Sequence, residues 1–112
     1  MAKKPKESLL QSERHAIKAK SGGGSLRYEV WGYLKDGAQV VTRYNIAYIN
    51  HSVCHLDNGR VLGYDNAHNY HHRHWMGQVE PVEFVSFEHT VEIFEVEWTQ
   101  IVATLNAKGK KS

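Results

Sequence analysis

Between Gly63 and Gly77 the chain reads GYDNAHNYHHRHWMG, and four of its eight histidines fall within 68–74. Imidazole titrates near neutral pH, so a cluster of such rings can move protons or hold a metal. Two chemistries are open to these residue types. In the first, His72 and His74 act as base and acid on a phosphodiester and Arg73 supplies a cation for the phosphate. Asp65 would orient one ring by accepting its second N–H, as carboxylates do in catalytic triads. RNA suits such a site because its 2′-hydroxyl is a built-in nucleophile, and this route needs no cofactor. In the second, Asp65, His68, His72 and His74 ligate zinc, manganese or iron, for which carboxylate and imidazole are apt donors. A third reading involves no chemistry: imidazoles that cap carbonyls or face solvent, which fits His71 best.

Other side chains extend the first chemistry. Tyr64, Tyr70 and Trp75 are rings on which bases can stack. Arg43 and Arg60 can reach phosphate, although exposed sheet arginines more often face solvent or pair with glutamate. Asn66 either contacts substrate or fixes the turn through its own side chain. The spacing sets one constraint. On a strand His72 and His74 share a face and Arg73 takes the other, so the three converge only through a bend.

The elements that must position these residues follow from hydrophobic period. Leu26, Tyr28 and Val30 alternate with polar and aromatic residues, then Asp36-Gly37 marks a hairpin turn. Val40–Ile49 alternates as a second, long strand. Ser52–Leu56 reads as a short third strand, Asp57-Asn58-Gly59 as another turn and Arg60–Tyr64 as a fourth strand. Tyr70–Met76 is an edge strand or a loop. Pro81 interrupts, and 82–85 is extended. The period then becomes 3.6: Phe87, Val91, Phe94, Trp98, Ile101 and Leu105 form one apolar stripe, with Ser86 as N-cap. The expected fold is α+β, an antiparallel meander of four to six strands with a C-terminal amphipathic helix over 87–105 buttressing the sheet behind the histidines. Residues 1–25, with a thin apolar stripe and the run Ser21-Gly-Gly-Gly-Ser25, are expected as a basic arm, flexible or helical. Residues 26–106 form one domain, and 107–112 a basic tail.

Charge and cysteine usage bound the function. The net charge is +2, but residues 21–105 carry five Lys/Arg against ten Asp/Glu, so the positive charge belongs to the two ends. Six glutamates lie within 80–97, which gives the last helix an acidic side. One cysteine, Cys54, precludes an intrachain disulfide, and the expected compartment is the cytoplasm. The basic start lacks the apolar run of a signal peptide. No apolar run reaches the roughly 18 residues of a membrane-crossing helix, so no membrane association is expected.

Leu62-Gly63-Tyr64-Asp65-Asn66, then His72-Arg73-His74, then Glu80-Pro81 with Phe84 and Ser86 ahead of an amphipathic helix bearing Phe94, resembles the TumE-like toxins of toxin–antitoxin modules. Arg43-Tyr44, Tyr48 and the Gly59-Arg60 turn resemble that family's tyrosine-rich strand and the turn after it. The likeness covers about residues 40–100. It implies a growth-inhibiting activity, RNA cleavage in the manner of RelE-like toxins, and a cognate helix-turn-helix antitoxin as partner. The chain departs from the family pattern in its spacer 67–71, which lacks glycine, and in its first 25 residues. Three functions are therefore expected to compete: a metal-independent ribonuclease toxin using Asp65, His72, Arg73 and His74; a metal-dependent phosphoesterase or nuclease using Asp65, His68, His72 and His74; and a protein-binding module without catalysis. A dimer or a hetero-oligomer would suit the edge strand and acidic helix equally.

Overall fold

Residues 6–109 are described in the computed structural model; residues 1–5 of the expected arm and 110–112 of the expected tail lie outside the described residues. Six antiparallel strands run in the order of the sequence: β1 (Ser8–Ala16), β2 (Ser25–Lys35), β3 (Ala38–Ile49), β4 (Arg60–Asp65), β5 (His72–Trp75) and β6 (Gln78–Pro81). A single helix, α1 (Phe87–Gly109), follows them. The fold is thus an α+β meander with its helix packed on one face of the sheet. No helix among the described residues is long and apolar enough to cross a membrane.

Turn chemistry sets the register. Asp36 and Gly37 take positive φ of 52° and 79°, as a two-residue type I′ turn requires, and Lys35 pairs with Ala38. Met76 and Gly77, with φ of 50° and 88°, join β5 to β6 in the same way. Alternation then sends Leu26, Tyr28 and Val30, Tyr44, Ile46 and Tyr48, and Leu62 and Tyr64 toward α1. Phe94 of α1 is fully buried among them, edge-on to Tyr28 at 5.8 Å and to Tyr64 at 6.5 Å. The helix starts where expected, because the backbone N–H of His89 donates to Ser86 Oγ at 3.0 Å and Glu88 sits in the positive first turn.

Four expectations are corrected. Residues 8–16 are not an arm. They form β1 on the outer edge of β2, with Ser12 opposite Glu29 and His15 opposite Leu26. The stripe Leu9, Leu10, Ala16, Ile17 is too narrow to hold a helix on the sheet, whereas β2 presents a row of unpaired backbone groups. Gly22, Gly23 and Gly24, all at positive φ, are the bend that returns the chain, closed by Ile17 N–H on the Gly24 carbonyl at 2.9 Å. Ser52–Leu56 is a loop. There Asn50 is buried and replaces ladder bonds, donating to the Gly22 carbonyl and the Tyr48 hydroxyl and accepting from Ser52 N–H, each at 3.0 Å. The extended piece placed at 82–85 falls earlier, as β6, because the 76–77 turn folds the chain back before Pro81. The helix runs on past 105 to Gly109, so the start of the expected tail is helical.

Phe94→Ala is expected to lower unfolding free energy by about 3–5 kcal/mol, read from urea denaturation. Deuterium exchange checks β1: its inward-bonding amides should exchange slowly, and uniformly fast exchange over 8–16 would return that segment to an arm.

Candidate functional site

The site lies on the face of the sheet that α1 leaves open. β4 and β5 pair so that Asp65 stands opposite His72 and Gly63 opposite His74. Residues 63, 65, 72 and 74 therefore share one face, and 62, 64, 73 and 75 the other. Asp65 is the hub. Its Oδ1 lies 2.6 Å from His72 Nε2 and accepts the backbone N–H of Ala67 at 3.1 Å; its Oδ2 lies 2.8 Å from His74 Nε2. The two imidazole centroids are 4.8 Å apart. Asp65, His72 and His74 are only 7%, 4% and 7% exposed. Buried groups of this kind must be paired with one another, and here they are.

Local chemistry builds the turn after β4. Asn66 continues the ladder with its side chain: Oδ1 accepts from Tyr44 N–H and Nδ2 donates to the Thr42 carbonyl, both at 3.0 Å. It thus acts as a turn-fixing residue, clamped onto β3. His68 and Asn69 take positive φ of 61° and 66°, and the chain turns back into β5. His72 Nδ1 then meets the Tyr70 carbonyl at 3.2 Å, and the Tyr70 ring lies 4.6 Å from the His72 ring.

A second layer comes from the turn before β4. Arg60 forks onto Asp57, with Nε on Oδ2 at 2.7 Å and Nη2 on Oδ1 at 3.0 Å, and its Nη1 lies 3.5 Å from Asp65 Oδ2. Its stem runs through the space a side chain at position 63 would fill; a Cβ there would sit 2.7 Å from Arg60 Cδ. His74 Nδ1 is buried and makes no hydrogen bond, although Asp57 Oδ2 is 3.4 Å away. Burial pushes the His74 pKa down, and the Arg60 charge adds to this against the pull of Asp65 and Asp57.

Above this floor is a cleft of about 630 Å³, walled by Trp31, Arg43, Asn45, His68, Tyr70 and Val79. The Arg43 guanidinium stacks 4.1 Å from the Trp31 ring. Arg43 also lies 3.4 Å from the Glu7 carboxylate. The cleft therefore offers two guanidiniums, two aromatic faces and a buried Asp–His–His centre.

The structure brings Asp65, His72, His74, Arg43 and Arg60 to this face. Arg73, Tyr64 and Trp75, expected at the site, lie on the opposite face. Strand geometry, with no bend, sends Arg73 to α1, where Nη2 meets Glu97 at 2.8 Å and Nε meets the Tyr64 hydroxyl at 3.2 Å. Burial opposes the Arg73 charge, but Glu97 and Tyr64 together outweigh it and hold the pKa above the ordinary value. Tyr64 is buried and donates its hydroxyl to Glu97; Trp75 lies beside Arg73 over the helix. His68, the expected fourth metal ligand, is exposed on the cleft wall outside the Asp–His–His centre, because its left-handed backbone aims it away. His71 packs 3.7 Å from Phe84 and bonds the Tyr44 hydroxyl at 2.8 Å, a structural role. Burial, followed by the nearby His72, lowers its pKa.

Three contributors escape a reading of the sequence. Asp57 looks like turn chemistry before Asn-Gly. Trp31 reaches the cleft by standing opposite Arg43, on the face that Leu26, Tyr28 and Val30 leave. Val79 enters through a strand not foreseen. Alternation alone could have signalled Trp31, which is out of phase with Leu26, Tyr28 and Val30. No protein-family model, no curated protein and no solved structure matches the chain.

Arg73→Ala is expected to cost about 1–3 kcal/mol of stability, since Glu97 and Tyr64 lose a half-buried partner. The imidazole nitrogen resonances of His72 and His74 should stay put. Displaced resonances with unchanged stability would place Arg73 in the cleft after all.

Proposed function

We propose that the chain is a toxin-type enzyme acting on RNA in the cytoplasm, with the helix-free cleft as its site. One observation carries this reading: a buried carboxylate shared by two imidazoles on the floor of a cleft walled by guanidiniums and aromatic rings. Each part answers a need of phosphodiester cleavage. Arg43 suits the phosphate, as a forked donor for its oxygens, and Arg60, whose fork is on Asp57, adds positive charge beneath it. Trp31 and Tyr70 suit the flanking bases, which stack on any π-face. The Asp65–His72–His74 centre suits activation of the 2′-hydroxyl and of the leaving oxygen. Arg73, given the cationic role on residue type, gives it up to Arg60 and Arg43.

The biological role and partner rest on the resemblance to the TumE-like toxins, whose Tyr-Asp-Asn and His-Arg-His motifs supply Asp65, His72 and His74. A helix-turn-helix antitoxin is the partner that resemblance implies. A second reading has its own observation. Ile93 and Val96 are 36% and 57% exposed on the outer side of α1, next to Glu92 and Glu95, a surface suited to a partner with basic and apolar groups. A binding module would form its complex whatever stands in the cleft.

Growth after induction decides between them. Wild type should arrest growth, while His74→Ala and Asp65→Asn, expressed equally and folded, should not. RNA cleavage by those variants should fall at least about a hundredfold, the usual contribution of a positioned acid or base. Arrest by both variants at wild-type strength would remove the cleft from the function.

A further inference from the structure

The hydrogen bonds of the Asp65 centre leave one buried ring nitrogen, His74 Nδ1, without a partner. His72 directs Nε2 to Asp65 and Nδ1 to the Tyr70 carbonyl. His74 directs Nε2 to Asp65 and Nδ1 toward Asp57. All four ring nitrogens thus face oxygen acceptors. A neutral imidazole carries a single N–H, so it can satisfy only one of its two neighbours. An imidazolium at His72 and a neutral ring at His74 serve three of the contacts; serving the fourth, at His74 Nδ1, needs another proton buried in the cluster, on His74 or on a carboxyl. The orphaned His74 Nδ1 is the visible mark of this conflict.

A divalent ion resolves it. We infer that Asp65, His72 Nε2 and His74 Nε2 form a binding site for a divalent transition-metal ion, with Tyr70 and Asp57 orienting the two rings from behind. With metal on both Nε2 atoms, each ring stays neutral and carries its proton on Nδ1. His72 then donates to the Tyr70 carbonyl and His74 to Asp57, so no ring nitrogen is left without a partner. Metal-bound imidazoles are held this way, by a carboxylate or carbonyl on the far nitrogen. Arg60 keeps Asp57 in place through its fork.

The donor geometry fits. One ligand atom from each of the three residues lies within 4.8 Å of the others, and all three residues are buried. Around zinc, with bonds of about 2.1 Å, neighbouring donors stand about 3.3 Å apart. The present 2.6 and 2.8 Å contacts need to open by about 0.5–0.7 Å to reach that spacing. Three protein ligands leave a coordination position toward the cleft, as catalytic sites do. Two nitrogens and one oxygen suit Zn²⁺, Fe²⁺ or Mn²⁺. His68 is not a ligand. This deepens the proposed function by naming the ion of the same centre; it rests on that centre being Asp65, His72 and His74, and not on RNA being the substrate.

The test uses the full-length chain without a histidine tag, titrated with Co²⁺ and then Zn²⁺ and measured for bound metal after dialysis. One ion per chain is expected, with the visible d–d bands of Co²⁺ at low coordination number and a shift of the His72 and His74 Nε2 resonances on Zn²⁺ addition. Asp65→Asn with His72→Gln, which keep shape and hydrogen bonding, should abolish binding; Asp57→Asn should weaken it about 10–100-fold; His68→Ala should leave it unchanged. No stoichiometric uptake of Co²⁺, Zn²⁺, Fe²⁺ or Mn²⁺ by the folded wild type would overturn the inference, as would equal uptake by the Asp65→Asn/His72→Gln variant. RNA cleavage separates the two proposals. Undiminished cleavage by protein that takes up no metal overturns the metal site and keeps the ribonuclease. Metal uptake that follows these variants, with no action on RNA, keeps the metal site and overturns the ribonuclease.

Discussion

A slip of one residue between β4 and β5 would carry Asp65 into the helix-side core and bring Tyr64 out to the cleft, because side chains alternate with period two. The Asp65–His72–His74 cluster depends on that register. It sets Asp65 opposite His72 and leaves side-chain-free Gly63 opposite His74, so Arg60 can thread between the strands' residues and reach both Asp57 and Asp65. The register is held from several sides at once. Leu62 and Tyr64 are committed to the core around Phe94, and Arg73 is committed to Glu97. Asn66 fastens the end of β4 to β3 by two hydrogen bonds.

The sheet separates stability from chemistry by face. On the α1 side lie aromatic and aliphatic side chains whose burial drives folding. The other side holds the charged and titratable groups, gathered at one end of a cleft. Arg73 joins the two by sitting between His72 and His74 in sequence and facing away from them in space. Its ion pair with Glu97 ties the histidine strand to the helix. Tyr44 works at the same junction: its pKa is pushed up to about 12, first by burial, so its hydroxyl stays a donor and acceptor for the turn at His71.

Burying a carboxylate, two imidazoles and a guanidinium in contact is destabilising unless every polar atom finds a partner. The sheet meets that demand for most of the cluster and leaves it unmet at His74 Nδ1. A local conflict of this sort, within an otherwise consistent fold, is where function concentrates. It lies here on the floor of the cleft lined by guanidiniums and aromatic rings.

The sequence alone determined what local rules can reach. Helix α1, its Ser86 cap and its apolar stripe follow from 3.6-residue spacing; the β2–β3 hairpin follows from alternation around Asp-Gly; the pairing of His72 with His74 on one face follows from their separation by two. It also pointed to Gly63–Gly77 as the segment that holds the Asp65, His72 and His74 cluster, on residue types. Only the tertiary structure decided which neighbours those residues meet. That residues 8–16 are a strand depends on the open edge of β2, since an edge is created by the rest of the sheet. The exclusion of Arg73, Tyr64 and Trp75 from the cleft depends on where α1 packs. Asp57, which in the sequence is a turn residue, becomes the partner of a buried imidazole because Arg60 folds it back over Gly63. Such contacts join positions far apart in the chain, and no spacing rule encodes them.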